Sequence, residues 1–385
     1  MIEGRKERTI EFGAILYLVA FALWLSIALI RYTYFADFLP VKPILQTVCC
    51  VVQLLLLLKF MMEFEFSWKQ VAGLFLLLIF MTIAWASGNL QFATMFALIY
   101  FAKNVLLEKI LKVSLVMQIF VFTITVFASQ VGILEDVIWY DLDRQRHGLG
   151  FTHCMLASHF GLYISLVYIG IVKKMTFLRA VAILIFNGIL YHFTVGRTDF
   201  YLCLLFVPMA FVVQKLAGRL KGEKVLGILL SAVPFVLFAV SVLITAQYGE
   251  NTEFILKLNQ RLNGRLYLGY EAMQNYGLPL WGRKIKWIGA SVLYYDPAAK
   301  YNYVDNSYLM MTLSYGLVFV FGYCASMGYV LYKETLQKEW MLVLCLMVIL
   351  AFGMINPQSM YLTYNPFLVL LAMAWNPSTK KEAVV

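Results

Sequence analysis

The chain has 385 residues, of which 62% are hydrophobic, 16% aromatic and only 14% charged, and its mean hydropathy is +0.78. A water-soluble domain carries roughly 25% charged residues and has no means of hiding this much apolar surface, so the bilayer is expected to be part of its solvent. The formal net charge of +10 does not point to nucleic acid, because Lys and Arg are scattered through short gaps between apolar runs, the pattern of the positive-inside bias of membrane proteins.

A helix crossing a hydrocarbon core of about 30 Å needs roughly 20 residues. Twelve segments are predicted to do so, near 13–30, 41–62, 71–87, 89–102, 113–131, 153–172, 177–195, 199–214, 225–246, 304–331, 340–356 and 358–375. The basic start, Arg5, Lys6 and Arg8, leads into a run long enough to span rather than into a cleavable signal. The fourth run is the shortest and requires Lys103 to snorkel at its end. The expectation is an all-α polytopic membrane protein in a single domain, 1–385.

Charge distribution tests that count. With the N-terminus inside, the inner segments after the sixth crossing carry eleven basic residues: Lys173, Lys174, Arg179, Lys215, Arg219, Lys221, Lys224, Lys333, Lys338, Lys380 and Lys381. The short outer loops after the fourth carry three, Arg144, Arg146 and Arg197. Deleting the fourth crossing would place the eleven outside, against the rule. Both termini are therefore expected in the cytoplasm.

Two outer loops are long, 132–152 and 247–303. Loops beyond about 12–15 residues are usually functional or disordered, and the second is too rich in Leu, Tyr, Trp and Phe for disorder. The six cysteines (49, 50, 154, 203, 324 and 345) lie mostly in apolar runs without metal-type spacing and read as small buried hydrophobes. No internal repeat is visible, in contrast to many transporters.

The outer side is rich in Arg, namely Arg31, Arg144, Arg146, Arg197, Arg261, Arg265 and Arg283. Guanidinium offers a planar fork of donors that matches phosphate oxygens in pairs. From Glu253 onward, Lys257, Arg261 and Arg265 recur every four residues beside Phe254, Leu258, Leu262 and Leu266. This spacing predicts an amphipathic helix at the outer interface, serving either general attraction to anionic headgroups or a clamp on a lipid-bound diphosphate. Arg197 falls at the turn between the seventh and eighth spans, where it either binds substrate or pairs with Asp199. His153 enters the sixth span and titrates near neutrality. His159 lies six residues on, which is not the i, i+4 spacing of a helical metal pair. Asp141-Leu142-Asp143 resembles a DxD nucleotide-sugar motif, but its outer location separates it from cytosolic nucleotide sugars. Asp305, at the mouth of the tenth span, is either a general base or a helix N-cap. There is no phosphate-cradling Gly-rich loop and no nucleophile elbow.

Four segments in this order resemble Wzy-type capsule and O-antigen polysaccharide polymerases, relatives of the O-antigen ligases. They are Arg146 with Leu149-Gly150-Phe151; Gly196-Arg197-Thr198; Asn263-Gly264-Arg265 with Trp281-Gly282; and Asp305-Asn306-Ser307-Tyr308 with Tyr315-Gly316. The resemblance covers about 145–316. It departs where Cys154-Met155 stands in place of a Pro-Asn-like pair. It implies a GT-C-like membrane fold in the bacterial plasma membrane. It also implies metal-independent transfer on undecaprenyl diphosphate-linked oligosaccharides without a cofactor, with membrane lipids, a flippase and a chain-length regulator as partners. On this basis Arg146, Arg197, Arg261 and Arg265 are expected to hold diphosphate, and Asp305 or His153 to act as the base. Tyr267, Tyr270, Trp281, Asn306 and Tyr308 are expected to meet sugars. The rival readings are a ligase moving a finished glycan and a flippase, although a flippase should carry charges in mid-span.

Overall fold

The computed structural model describes residues 2–64, 66–88, 90–141, 144–219, 223–289 and 301–375, and side-chain burial for these except 2–7, 90, 91 and 141. The protein is mostly helical. Among the described residues, seven helical runs are long and apolar enough to cross a membrane, with Glu223–Glu250 counted as one run through the break at Ala232. α1 (Ile2–Ile30) is followed by the single turn α2 (Phe35–Phe38), then α3 (Val41–Glu63), α4 (Trp68–Ala86), the short α5 (Leu90–Tyr100) and α6 (Leu107–Gln130). The strands β1 (Ile138–Asp141) and β2 (Arg144–His147) form an antiparallel hairpin, so the loop at 132–152 contains a β-element, whereas the other named elements among the described residues are helical. α7 (Leu156–Val172), α8 (Phe177–Thr194), α9 (Arg197–Leu216), α10 (Glu223–Ser231) and α11 (Val233–Ala246) follow. The large loop then supplies α12 (Glu253–Arg261) and α13 (Arg265–Tyr276). The last described elements are α14 (Ser307–Tyr315), α15 (Leu317–Leu336), α16 (Trp340–Phe352) and α17 (Ala372–Trp375).

Two classes of helix emerge. The long ones expose apolar side chains, as Leu54, Leu57 and Leu58 do on α3 and Leu204 and Leu205 on α9, the expected state of a face turned to lipid. The short ones lie inside. All nine residues of α14 are buried, as are 14 of 17 in α7 and 11 of 13 in α16. α5 is also inner, and its 11 residues rise only about 17 Å. Its end is tied to α3 by a buried charge cluster. The Lys59 ammonium donates to Glu63 (2.7 Å) and to the Lys103 carbonyl (2.9 Å), and Asn104 donates to Glu63 (3.0 Å).

Several predicted spans are divided. The ninth breaks at Ala232, where Pro234 follows at the second position of α11 and cannot complete a continuous hydrogen-bond ladder. The last, 358–375, is two 3-10 turns (Pro357–Met360 and Pro366–Leu371) leading into α17, since Pro357 and Pro366 interrupt it. The eleventh ends at Phe352, four residues early.

The tenth span is cut by Gly316. The backbone at Gly316 has φ 89 and ψ 167, a region essentially restricted to glycine. The unwound groups are satisfied by the large loop: Leu317 N–H donates to the Pro279 carbonyl (2.8 Å), Val318 N–H to Leu280 (3.2 Å), and Arg283 N–H to the Ser314 carbonyl (3.0 Å). A Cβ on Gly316 would run into the Leu280 carbonyl oxygen. Gly316→Ala is therefore expected to lower stability by at least the roughly 1–3 kcal/mol of a forbidden backbone conformation. Thermal unfolding in detergent would show the drop, and an unchanged midpoint would mean the loop is not docked there.

Candidate functional site

The polar motifs gather at one end of the helix bundle. The C-terminal end of α1 pairs with the segment after β2 through Tyr34 N–H to the Gly150 carbonyl (2.9 Å) and Thr152 N–H to the Tyr32 carbonyl (3.0 Å). Asp136 fixes the same segment, accepting from Leu149 N–H (2.7 Å) and contacting His147 Nδ1 (2.6 Å). Arg146 stands opposite Trp139 in the hairpin, and the Trp139 ring lies 5.6 Å from that of His153.

At the head of α14 the cap belongs to Asn306, whose Oδ1 accepts from Leu309 N–H (3.0 Å). Asp305 is therefore not the helix cap and has a different partner: Arg265 Nε donates to Asp305 Oδ2 at 3.4 Å, both side chains being about three-quarters buried. Asp305 precedes the first helical residue, Ser307. Withdrawal from water raises its carboxyl above the ordinary aspartate range, and the charge and hydrogen bond of Arg265 pull it partly back.

The expected basic stripe is broken. α12 ends at Arg261, and the chain reverses through Asn263 (φ 53) and Gly264 (φ 80) before α13 begins. The reversal leaves Arg261 exposed on α12, where Lys257 pairs with Glu253, and turns Arg265 inward to Asp305. One face every four residues required a continuous helix, and the two left-handed residues end it.

Arg197 is exposed at the first position of α9 and does not pair with Asp199. Asp199 is 1% exposed and faces α7, accepting from Ser158 Oγ (3.1 Å) and from His159 Nδ1 (2.8 Å). Its place in the first turn of α9 sets a negative group against the positive end of the helix. His159 also meets Asn356, with Nδ2 2.9 Å from Nε2. His159 and Asn356 were absent from the sequence-derived site. The Asn356-Pro357 pair between two apolar runs was the available signal, as an interruption where a span should continue.

His153 lies ahead of α7. Its Nδ1 accepts from Met155 N–H (3.2 Å), so the lone pair is engaged and the other ring nitrogen carries the proton. Burial pushes its pKa down to about 4, and the nearby Arg146 acts in the same direction.

Two of the expected sugar contacts are structural instead. Asn306 spends both polar atoms on the fold, Nδ2 donating to the Met354 carbonyl (2.7 Å) besides the cap. Tyr308 is 1% exposed, and its hydroxyl donates to the Leu350 carbonyl (3.1 Å). Tyr308→Phe should therefore lower stability by about 0.5–1.5 kcal/mol, a drop that thermal unfolding in detergent would show. Tyr267 and Tyr270 each approach Tyr248 at 5.7 Å, and Trp281 is exposed. Of the DxD pair, Asp143 lies outside the described residues.

The structure thus brings Arg265 and Asp305 into contact, sets His153 beside the β-hairpin that carries Arg146, and leaves Arg197 and Arg261 exposed. Comparison with protein-family models, with curated proteins and with solved structures finds no match to this chain.

Proposed function

We propose that this protein polymerises lipid-linked oligosaccharide repeat units by glycosyl transfer at the extracytoplasmic face of a bacterial plasma membrane. The observation that carries the reading is the contact between Arg265 and Asp305, 40 residues apart in sequence, at the head of a fully buried helix. It joins a phosphate-binding group to a proton acceptor of raised affinity at one point.

The chemistry follows from that pair. A sugar hydroxyl of the incoming repeat unit attacks the anomeric carbon of the growing chain and forms the new C–O bond. The C–O bond to the lipid diphosphate breaks, and its electron pair leaves with the diphosphate. The hydroxyl proton passes to Asp305. In the absence of substrate Arg265 neutralises Asp305. A diphosphate entering beside Arg265 takes over the guanidinium and frees the carboxylate to act as base. Arg265 then stabilises the charge that accumulates on the leaving group. His153, with its lone pair engaged and its basicity lowered, suits donation to a substrate oxygen better than proton abstraction. Arg146, Arg197 and Arg261 complete the cationic approach to the site.

The same reading takes the chain through the membrane twelve times with both termini inside. Supporting it, the contacts Lys173–Glu339 (2.9 Å) and Lys338–Glu223 (2.8 Å) lie between segments assigned to the cytoplasm. The tie of Asn104 to Glu63 likewise accords with the ends of α3 and α5 lying on one side of the membrane.

Deleting the gene and resolving surface glycan by size, with lipid-linked intermediates extracted in parallel, tests the assignment. Loss of long chains with single lipid-linked units exposed outside is expected. Units trapped inside would indicate a flippase, and long chains retained on lipid a ligase; either would overturn it. Should Arg197→Ala and Arg265→Ala both leave polymer amount and length unchanged, the diphosphate assignment fails.

A further inference from the structure

Asp305 does not stand alone at the head of α14; it is clamped from behind. Ser307 N–H donates to the Gly353 carbonyl (2.7 Å), Ser307 Oγ donates to the Asn356 carbonyl (2.7 Å) and lies 2.6 Å from Ser359 Oγ, and Asn306 Nδ2 donates to the Met354 carbonyl (2.7 Å). The two residues after Asp305 are thus fastened to 353–359, the segment between α16 and the last turns.

That segment is itself held from the opposite side. Asn356 Oδ1 accepts from Gln358 N–H (2.7 Å), and a backbone N–H is always a donor, so the amide orientation is fixed and Nδ2 must face His159. Asn356 Nδ2 then donates to His159 Nε2 (2.9 Å), which places the imidazole proton on Nδ1, where it is donated to Asp199 Oδ1 (2.8 Å). Each bond in the chain determines the direction of the next. Asn356, His159 and Asp199 are 3%, 6% and 1% exposed, so no solvent exchange relaxes the arrangement, and an unmet group there would cost about 1–3 kcal/mol. Gly196, immediately before Arg197, packs against Ser158 on α7, and Asp199 lies in the first turn of α9. The chain therefore ties the Arg197 turn to the head of α14 through α7.

We propose that Asp199, His159 and Asn356 are positioning residues that hold the Asp305 carboxyl and the Arg197 turn in one frame for the glycosyl transfer, an inference that rests on the function proposed above. All three side chains are buried. Their effect is on the placement of Asp305, and a displacement of about 1 Å at a reacting group costs on the order of 100-fold in rate.

The full-length protein in lipid nanodiscs, supplied with lipid-linked oligosaccharide extracted from cells lacking this chain, provides the kinetic test. Asn356→Asp keeps an acceptor for Gln358 N–H but presents a carboxylate to His159 Nε2, reversing the donor. It is expected to fold normally and keep KM within about threefold. Its kcat should fall about 10- to 100-fold, with a displaced acid limb of the pH–rate profile as Asp305 moves. Asn356→Ala should lose at least as much, and His159→Asn, which keeps a donor for Asp199, should recover part of the loss seen in His159→Ala. Wild-type kcat and pH profile in both Asn356 variants would overturn the proposal.

A second measurement needs no turnover. The chain has four histidines, and selective nitrogen-15 labelling, assigned by difference with His159→Asn, reads which ring nitrogen of His159 bears the proton near neutral pH. A proton on Nδ1 is expected in the wild type and in Asp305→Asn, and a proton on Nε2 instead would overturn the chain. Wild-type protein that shows the Nδ1 proton yet transfers no sugar would overturn the polymerase reading, so the two failures are distinguishable.

Discussion

Asp305→Asn is expected to lower the rate of polymer formation by about 10²- to 10⁴-fold, the usual contribution of a positioned general base, without unfolding the protein. The replacement is nearly isosteric, and the cap of α14 belongs to Asn306, so the helix start survives. Arg265 loses a partner but is partly exposed and can reach water. The measurement is the initial rate on extracted lipid-linked oligosaccharide, with thermal unfolding as the control for folding. A variant with wild-type rate would remove Asp305 from the chemistry. The pH dependence carries the same sign. In the proposed mechanism the carboxylate is the active form, so the rate is expected to rise with pH as Asp305 loses its proton. Because withdrawal from water raises that titration, the acid limb should lie above the ordinary aspartate range of about 3.9.

Arg265→Ala is expected to cost about 10²- to 10³-fold in kcat, the scale of removing one preorganised charge-stabilising donor. It should also shift the acid limb. Arg265 is the main group pulling the Asp305 titration down, so its removal moves the limb to higher pH. Arg265→Lys should restore the position of the limb more completely than the rate, because an ammonium supplies the charge but not the two-pronged fork. Arg261→Ala should matter far less, since Arg261 is exposed on α12 and does not share the inward turn of α13. Equal losses at 261 and 265 would contradict this geometry and restore a single basic stripe as the binding element.

The sequence by itself determined the membrane class and most of the long helices. Runs such as 41–62 and 177–195 differ by only a residue from α3 and α8, because the need to satisfy every backbone group internally leaves a lipid-facing apolar run only one economical form. It also singled out Arg265 and Asp305, which the fold brings into contact. Tertiary structure decided what the inner segments do. Once a segment is surrounded by protein, neighbouring loops can satisfy its backbone, and a helix is no longer obligatory. Gly316 shows this where the large loop fills the gap between α14 and α15, and Pro357 and Pro366 show it in the last span. The partner of a side chain was equally a tertiary matter. Asp199, two residues from Arg197, turns instead to His159, 40 residues away, because a carboxylate in the first turn of α9 that is shut off from water needs donors at close range, and α7 supplies them. Asn356 entered the site for the same reason: a buried imidazole nitrogen requires a donor, and hydrogen-bond demand acts across space without regard to sequence spacing.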